Sequence, residues 1–346
     1  LHQVVRRQRQ MCIRDSSSNE NPYGASPKAI ELLETKNINH DLHRYPEIDG
    51  SSLREAIAKN FSIDSNRIIL GSGSDEVLLF AALAFCQDGD EILHANHGFE
   101  MYSIVSKVVG AVPKKIKEDV NFNLNIENLI DQTNEATKVI YIASPNNPTG
   151  TYLSRDQLVK LMNSISKNII VVIDGAYVEY VQKEDYDKGF SLTDEYENII
   201  LTRTFSKTYG LAALRVGWCY TSQKIADIIN KIKPPFNTTT ISQSLAIKAL
   251  EDKEHIENSV KLNSEIKDWF EKELKLLNIK TRQTEGNFTL IETSEEEAEK
   301  ISNHLMNDGI IIRRLNSYNL PNFLRISIGT KEEMDLTVES LKKFNV

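Results

Sequence analysis

Thr202-Arg-Thr-Phe-Ser-Lys-Thr-Tyr-Gly-Leu-Ala-Ala-Leu-Arg-Val-Gly-Trp218 is the stretch that sets the reading of the chain. An apolar run, Ile199 to Leu201, precedes it and reads as a buried strand, so Lys207 leaves the end of a sheet and enters a loop, where functional groups are displayed. A lysine held there has little water around it. Desolvation favours the neutral amine, which is free to form a Schiff base with an aldehyde. Beyond the small-residue turn, Arg215 has the fork geometry to grip a phosphate, with Thr204 and Ser206 adding hydroxyl donors. An aldehyde and a phosphate on one small molecule is the profile of pyridoxal phosphate. For this segment by itself the alternative is a solvated loop lysine near an unrelated arginine.

Outward from that stretch the pattern is strand, loop, helix, repeated. Arg67–Leu70, Glu91–His94, Ala111–Ile116, Val139–Ile142, Ile169–Ile173, Ile199–Leu201 and Val216–Tyr220 read as strands, and helical segments lie between most of them. This alternation predicts an α/β fold, a mostly parallel sheet covered by helices on both faces, with ligands at the carboxyl ends of its strands. After Lys233-Pro-Pro the character changes. Helices at Ser242–Leu250 and Glu254–Leu277 lead to a strand (Phe288–Ile291), a helix (Ser294–Asn307) and short strands at Ile310–Arg313 and Leu324–Ile328, which predict a smaller α+β domain. The expected division is residues 1–16 as a non-native or disordered segment, 17–42 as an N-terminal arm packing with the small domain, 43–240 as the large cofactor-binding domain, and 241–346 as the small domain. In the first of these, Met11-Cys-Ile-Arg-Asp-Ser matches what the end of a common sequencing-library adaptor gives when translated. A natural disordered basic arm is the other reading. Pro27 to Leu33 is expected to be a helix with Ser26 as its N-cap and proline at its first position.

Composition narrows the function. A net charge of -8 over 346 residues argues against general nucleic-acid binding, and no apolar run approaches a membrane span. Cys12, Cys86 and Cys219 are scattered, which argues against a disulfide framework or zinc site and for a reducing compartment, the cytoplasm. No metal is expected.

The strand-end loops then read as chemistry. Gly71-Ser-Gly-Ser-Asp-Glu opens a helix, so its backbone N–H groups and the helix dipole can cradle a phosphate. Ser144-Pro-Asn-Asn-Pro-Thr-Gly is a rigid loop that aims Asn147. Asp174-Gly-Ala-Tyr ends the most apolar strand, where a carboxylate is costly without a partner. A protonated pyridine nitrogen is one such partner; a helix cap is the plainer use. Phe99, in His97-Gly-Phe-Glu-Met-Tyr, has a face to stack on a flat ring, and packing in the core is its alternative.

With these motifs in order from Asn19-Glu-Asn-Pro-Tyr-Gly to Leu324-Arg-Ile-Ser-Ile-Gly-Thr, nearly everything after the N-terminal segment, the chain resembles the fold-type I pyridoxal-phosphate aminotransferases, and among them the histidinol-phosphate aminotransferases. The resemblance implies that Lys207 is the Schiff-base lysine, Asp174 the pyridinium partner, and Asn147 and Tyr177 donors to the ring 3-oxygen. It implies that Gly73, Ser74, Asp75, Thr204, Ser206 and Arg215 hold the phosphate, that Phe99 stacks on the ring, and that Tyr45 reaches the site from the neighbouring subunit of a homodimer. Tyr23, Asn147, Asn237, Arg313 and Arg325 would face the substrates, histidinol phosphate and then 2-oxoglutarate or glutamate. The departure is at the N-terminal arm, part of the family's usual dimer contact. Within the same fold, an aromatic amino-acid aminotransferase or a threonine-phosphate decarboxylase carries most of these motifs; a non-catalytic binding protein of the same fold is the alternative from another class.

Overall fold

A computed structural model of the chain describes residues 14–35 and 43–344. Its strands are β1 (Arg14–Ser16), β2 (Ile68–Gly71), β3 (Glu91–Ala95), β4 (Val112–Ile116), β5 (Thr137–Ala143), β6 (Ile170–Asp174), β7 (Ile199–Thr204), β8 (Gly217–Thr221), β9 (Lys280–Arg282), β10 (Phe288–Glu292), β11 (Ile310–Leu315) and β12 (Leu320–Ser327). Seven of them form one sheet in the order β2-β8-β7-β6-β5-β3-β4, and the other five form a second in the order β1-β11-β12-β10-β9.

The large sheet is parallel except where β8 runs against both β2 and β7. Its centre is built from β-branched residues that pleat toward alternate faces. Ile170 and Val172 of β6 join the cluster of Val77, Phe80 and Ile225, whereas Val171 and Ile173 join the cluster of Leu129, Leu158 and Leu192 on the other face. Helices cover both clusters: Ser74–Phe85, Met101–Val108 and Gln223–Ile232 on one side, Ile126–Asp131 and Arg155–Ser164 on the other. Each fully covered aliphatic side chain contributes about 1.5–3 kcal/mol of burial. A sheet dry on both faces leaves its strand ends as the place for polar chemistry.

The small sheet is antiparallel apart from β1, which pairs in parallel with β11. It packs on Lys253–Leu276, Glu295–Asn307 and Lys331–Phe344 through Ile266, Phe270, Ile301 and Leu341. The helix Thr240–Glu251, assigned from sequence to the small domain, sends Leu245, Ala246 and Ala249 into a cluster with Leu53, Ile68 and Trp218 at the edge of the large sheet.

Two expectations for the N-terminal region change. Arg14–Ser16 belongs to the fold: Arg14, Asp15 and Ser16 lie opposite Ile310, Ile311 and Ile312, and Arg14 pairs with Glu333 at 3.1 Å. Residues 1–13, Cys12 among them, and residues 36–42 lie outside the described residues. The helix Pro27–Glu34 has Ser26 at its N-cap position, but the Ser26 hydroxyl donates to Oδ2 of Asp252 at 2.6 Å instead of accepting from its own helix. Asp252 in turn accepts from the backbone of His255, so one carboxylate ties the starts of two helices together.

Candidate active site

The carboxyl ends of β2, β3, β5, β6 and β7 converge on one cavity. Ser74 and Asp75 follow β2, Phe99 follows β3, Pro145 and Asn147 follow β5, Asp174 ends β6 with Tyr177 just beyond, and Thr204, Ser206 and Lys207 end or follow β7. Arg215 enters ahead of β8, and Ser18 and Glu20 close the side toward the small sheet.

Asp174 is 5% exposed. Among the described residues its oxygens accept from two hydroxyls, Tyr102 at 2.9 Å and Thr202 at 2.9 Å, and pair with no cation. Burial raises its carboxyl above the usual range, since the charged form loses water and gains two neutral donors in return. A cation set in the cavity beside this carboxylate would remove that penalty. Tyr102 was not singled out in the sequence. It lies one helical turn beyond Phe99, stacks on Tyr141 with centroids 4.9 Å apart, and is itself fully covered.

Nζ of Lys207 donates to the backbone oxygen of Ser18 at 3.0 Å and stands 5.7 Å from the centre of the Tyr177 ring. The Tyr177 hydroxyl accepts from Nδ2 of Asn19 at 2.9 Å, and Asn19 is fixed from the small sheet by Ser327, whose hydroxyl meets both its backbone N–H at 2.8 Å and its Oδ1 at 2.9 Å. Ser18 and Asn19 are thus site residues missed in the sequence. Their signal was the loop motif they open.

The anion-holding corner is built by close approach. The helix Ser74–Phe85 begins at Ser74, three residues earlier than its apolar periodicity suggests, so its first turn is polar and faces the cavity. Gly73, just outside the cavity lining, has φ +79°, and a Cβ there would fall 2.4 Å from the Arg215 guanidinium; one at Gly217 would fall 2.4 Å from the N–H nitrogen of Ser74. Arg215 lies 3.3 Å from Asp75 and 3.4 Å from the Ser206 hydroxyl, and the Ser206 hydroxyl accepts from Thr204 at 3.0 Å. A cluster of N–H, hydroxyl and guanidinium donors around one concavity suits a phosphate. Together with Phe99, Ala176, the Asp174 carboxylate and the Lys207 amine in the same lining, the residues fit a flat cationic ring that carries an aldehyde and a phosphate.

Besides Gly73, five of the residues expected in the site do not line this cavity. Tyr23 and Trp269 both pack against the small-domain core, and among the described residues the Tyr23 hydroxyl is buried without a hydrogen-bond partner. Asn237 turns to the backbone of Leu70 at 3.1 Å and to Glu76 at 2.7 Å, bracing the loop before Ser74. Tyr45 is 80% exposed and stacks on Phe236 with centroids 4.6 Å apart. Arg325 is buried; it donates from one terminal nitrogen to Oδ1 of Asn147 and from the other to the backbone oxygen of Ser17 at 2.5 Å. Arg313 is its direct cross-strand partner in β11. The neighbouring Arg314 pairs with Glu299 at 3.6 Å, as a surface arginine does.

Comparison with known proteins gives a consistent picture. The family model for aminotransferase class I and II matches residues 15–341. The chain is 39% identical over 329 residues to histidinol-phosphate aminotransferase of Roseobacter denitrificans, covering 95% of this chain and 90% of that one. It is 40% identical over 322 residues to histidinol-phosphate aminotransferase of Pelagibacter ubique, covering 92% and 89%. Among solved structures, histidinol-phosphate aminotransferase from Sinorhizobium meliloti in complex with pyridoxal-5'-phosphate shares the fold with a TM-score of 0.91 at 23% identity, covering 99% of this chain and 95% of that one.

Proposed function

The chain belongs to the aminotransferases of classes I and II, and from that premise we propose that it transfers the amino group of L-histidinol phosphate to 2-oxoglutarate with pyridoxal 5'-phosphate as its cofactor. The observation that carries the reading is the pairing, across one cavity, of an uncompensated buried carboxylate, Asp174, with an amine, Lys207, above a ring of phosphate donors. When bound, pyridoxal phosphate draws electrons from the bonds at the substrate's amino-bearing carbon. The chain's own residues hold and direct that chemistry. Asp174 holds a proton on the ring nitrogen by charge. Asn147, whose Oδ1 is taken by Arg325, has its NH2 left to donate, and with the Tyr177 hydroxyl it would bind the ring oxygen. Ser74, Asp75, Thr204, Ser206 and Arg215, with the backbone at Gly73, bind the phosphate, and Phe99 covers one face of the ring. Nζ of Lys207 would hold the cofactor by its aldehyde, and as a free amine it would serve as the acid–base group that moves a proton.

Arg325 and Arg313 supply positive charge on the small-domain side for the substrate phosphate and, in the second half-reaction, for a carboxylate of 2-oxoglutarate. Cross-strand like charges repel unless an anion joins them, which supports this use of the pair. Tyr45, exposed on its own chain, belongs in the reading to the partner's site in a homodimer. The enzyme is read as cytoplasmic and as part of histidine biosynthesis; among the described residues no helix is long and apolar enough to cross a membrane.

The deciding experiment compares histidinol phosphate, histidinol and phenylalanine as amino donors with 2-oxoglutarate. A clear preference for histidinol phosphate is expected. Equal efficiency, or a preference for phenylalanine, would transfer the assignment to the aromatic aminotransferases, and release of carbon dioxide from threonine phosphate would transfer it to the decarboxylases. A purified protein that shows no visible absorbance after addition of pyridoxal phosphate would count for the non-catalytic reading.

A further inference from the structure

The loop that carries Phe99 is held from outside the cavity. Glu118, just after β4, keeps only 3% of its side chain exposed, and its carboxylate accepts twice from one residue: from the backbone N–H of His97 at 2.7 Å and from Nδ1 of the same residue at 3.1 Å. The other ring nitrogen, Nε2, lies 3.1 Å from the side-chain NH2 of Asn96, a donor, an arrangement that suits the tautomer whose Nδ1–H points at Glu118. A buried carboxylate taking two N–H donors makes charge-assisted bonds, the stronger kind.

His97 also reaches two other walls of the site. Its backbone oxygen accepts from Nδ2 of Asn146 at 3.1 Å, the residue before Asn147, and that NH2 also donates to Thr149 at 2.7 Å. The edge of its ring meets Phe122 at 5.4 Å, and Phe122 meets Phe323 at 5.3 Å, two residues before Arg325 in β12. His97 therefore touches the Phe99 loop through its own backbone, the Asn147 loop through its carbonyl, and the small-domain strand through Phe122. Neither His97 nor Glu118 lines the cavity.

We propose that His97 and Glu118 form a positioning pair that sets the ring-covering residue Phe99 and the ring-side residue Asn147 at the spacing the cofactor requires. This rests on the cofactor assignment above. A constellation of binding groups has to be held to within about half an ångström by packing and hydrogen bonds behind it, and a loop has no ladder of its own to do so. The Glu118 carboxylate supplies that support. Loss of the Nδ1 bond leaves Oε2 of Glu118 buried without that donor, so the loop is tied to the carboxylate by the backbone N–H of His97 alone.

The test uses apoprotein of the wild type, His97→Phe, His97→Asn and Glu118→Gln, titrated with pyridoxal phosphate to give a Kd. Hydrogen exchange of the 95–101 segment is followed in the same apoproteins. Phenylalanine keeps a ring against Phe122 and lacks the Nδ1 donor, whereas the asparagine NH2 stands where Nδ1–H stood. His97→Phe is expected to raise the Kd about tenfold and to speed exchange of the segment. His97→Asn is expected to stay within about threefold of wild type, and Glu118→Gln to fall between the two. Unfolding temperatures of the apoproteins identify any variant that fails to fold; if His97→Phe fails, Glu118→Gln decides alone. Wild-type Kd and exchange in Glu118→Gln, or equal impairment in His97→Asn and His97→Phe, would overturn the proposal. A wild-type chain that takes up no pyridoxal phosphate would overturn the cofactor assignment instead.

Discussion

The guanidinium of Arg325, on a strand of the small sheet, donates to Oδ1 of Asn147, on a loop of the large one, so this side chain ties the small sheet directly to a loop that lines the cavity. Arg325 was expected to be a pure substrate ligand. Its two terminal nitrogens serve protein groups, while among the described residues Nε is buried without a hydrogen-bond partner. Arg325→Ala therefore loses both the anion site and the orientation of Asn147. Charge-assisted hydrogen bonds contribute about 1.5–3 kcal/mol each, so kcat/KM for histidinol phosphate is expected to fall a hundredfold or more, about 3 kcal/mol. Because Asn147 is also released, kcat is expected to fall and KM to rise. Arg325→Lys recovers part of the loss, since an ammonium cannot reproduce the fork. Unchanged steady-state constants in Arg325→Ala would remove Arg325 from the site.

Lys207→Ala is expected to abolish turnover and the visible absorbance of the lysine-linked cofactor. The donors at Ser74, Ser206 and Arg215 remain, so the variant should still retain pyridoxal phosphate through its phosphate, measurable by equilibrium dialysis. Wild-type activity in this variant would end the transaminase reading.

Asp174 gives a pH prediction. Burial raises its folded carboxyl above the ordinary value of 3.8, so the folded state binds a proton more tightly than the unfolded state. Its stabilising contribution to the apoprotein is complete below about pH 4 and is lost as pH rises through the folded value. Asp174→Asn removes that loss. The apo variant is expected to melt above apo wild type at neutral pH, the difference closing as the pH is lowered toward 4. With cofactor bound the order should reverse, because the carboxylate then has a cation. Parallel melting curves from acid to neutral pH would show that Asp174 carries no such strain.

Tyr45 predicts shared sites. Mixing inactive Lys207→Ala chains with weakened Tyr45→Ala chains should restore activity, since a mixed dimer holds one site with both residues intact. A light-scattering mass of one chain under assay conditions, with full activity, would exclude this.

Much of the large sheet was legible because its strands are runs of branched apolar residues, a local signal that needs no knowledge of the rest of the chain. β6, Ile-Val-Val-Ile before Asp174, is the clearest case. β1 and β9 were not legible. Arg14-Asp-Ser and Lys280-Thr-Arg are short and polar, and they become strands because partners far along the chain offer them a ladder. The same division holds in the site. Lys207 and Asp174 stand at ends of strong strands, so their direction follows from the fold. Tyr23 and Asn237 lie in loops, where packing against the small-domain core or bonding to Glu76 decides which way a side chain turns. Tyr102 was hidden for a related reason, since a tyrosine on a helix announces neither its depth nor the carboxylate it meets.

The parallel pairing of β1 with β11 bears on how the protein is made. Arg14 lies opposite Ile310, and Asn19 is held by Ser327, so the segment that reaches Lys207, Tyr177 and Arg325 waits for partners synthesised nearly three hundred residues later. The lysine, the buried carboxylate and the phosphate corner leave the ribosome after Ser18 and Glu20, which wall them, but before the small-sheet strands that hold that wall in place. At about 5–20 residues per second, the nascent chain spends about 15–60 seconds with this segment unpaired. The large sheet can form in that interval, but the finished cavity is the last thing synthesis delivers.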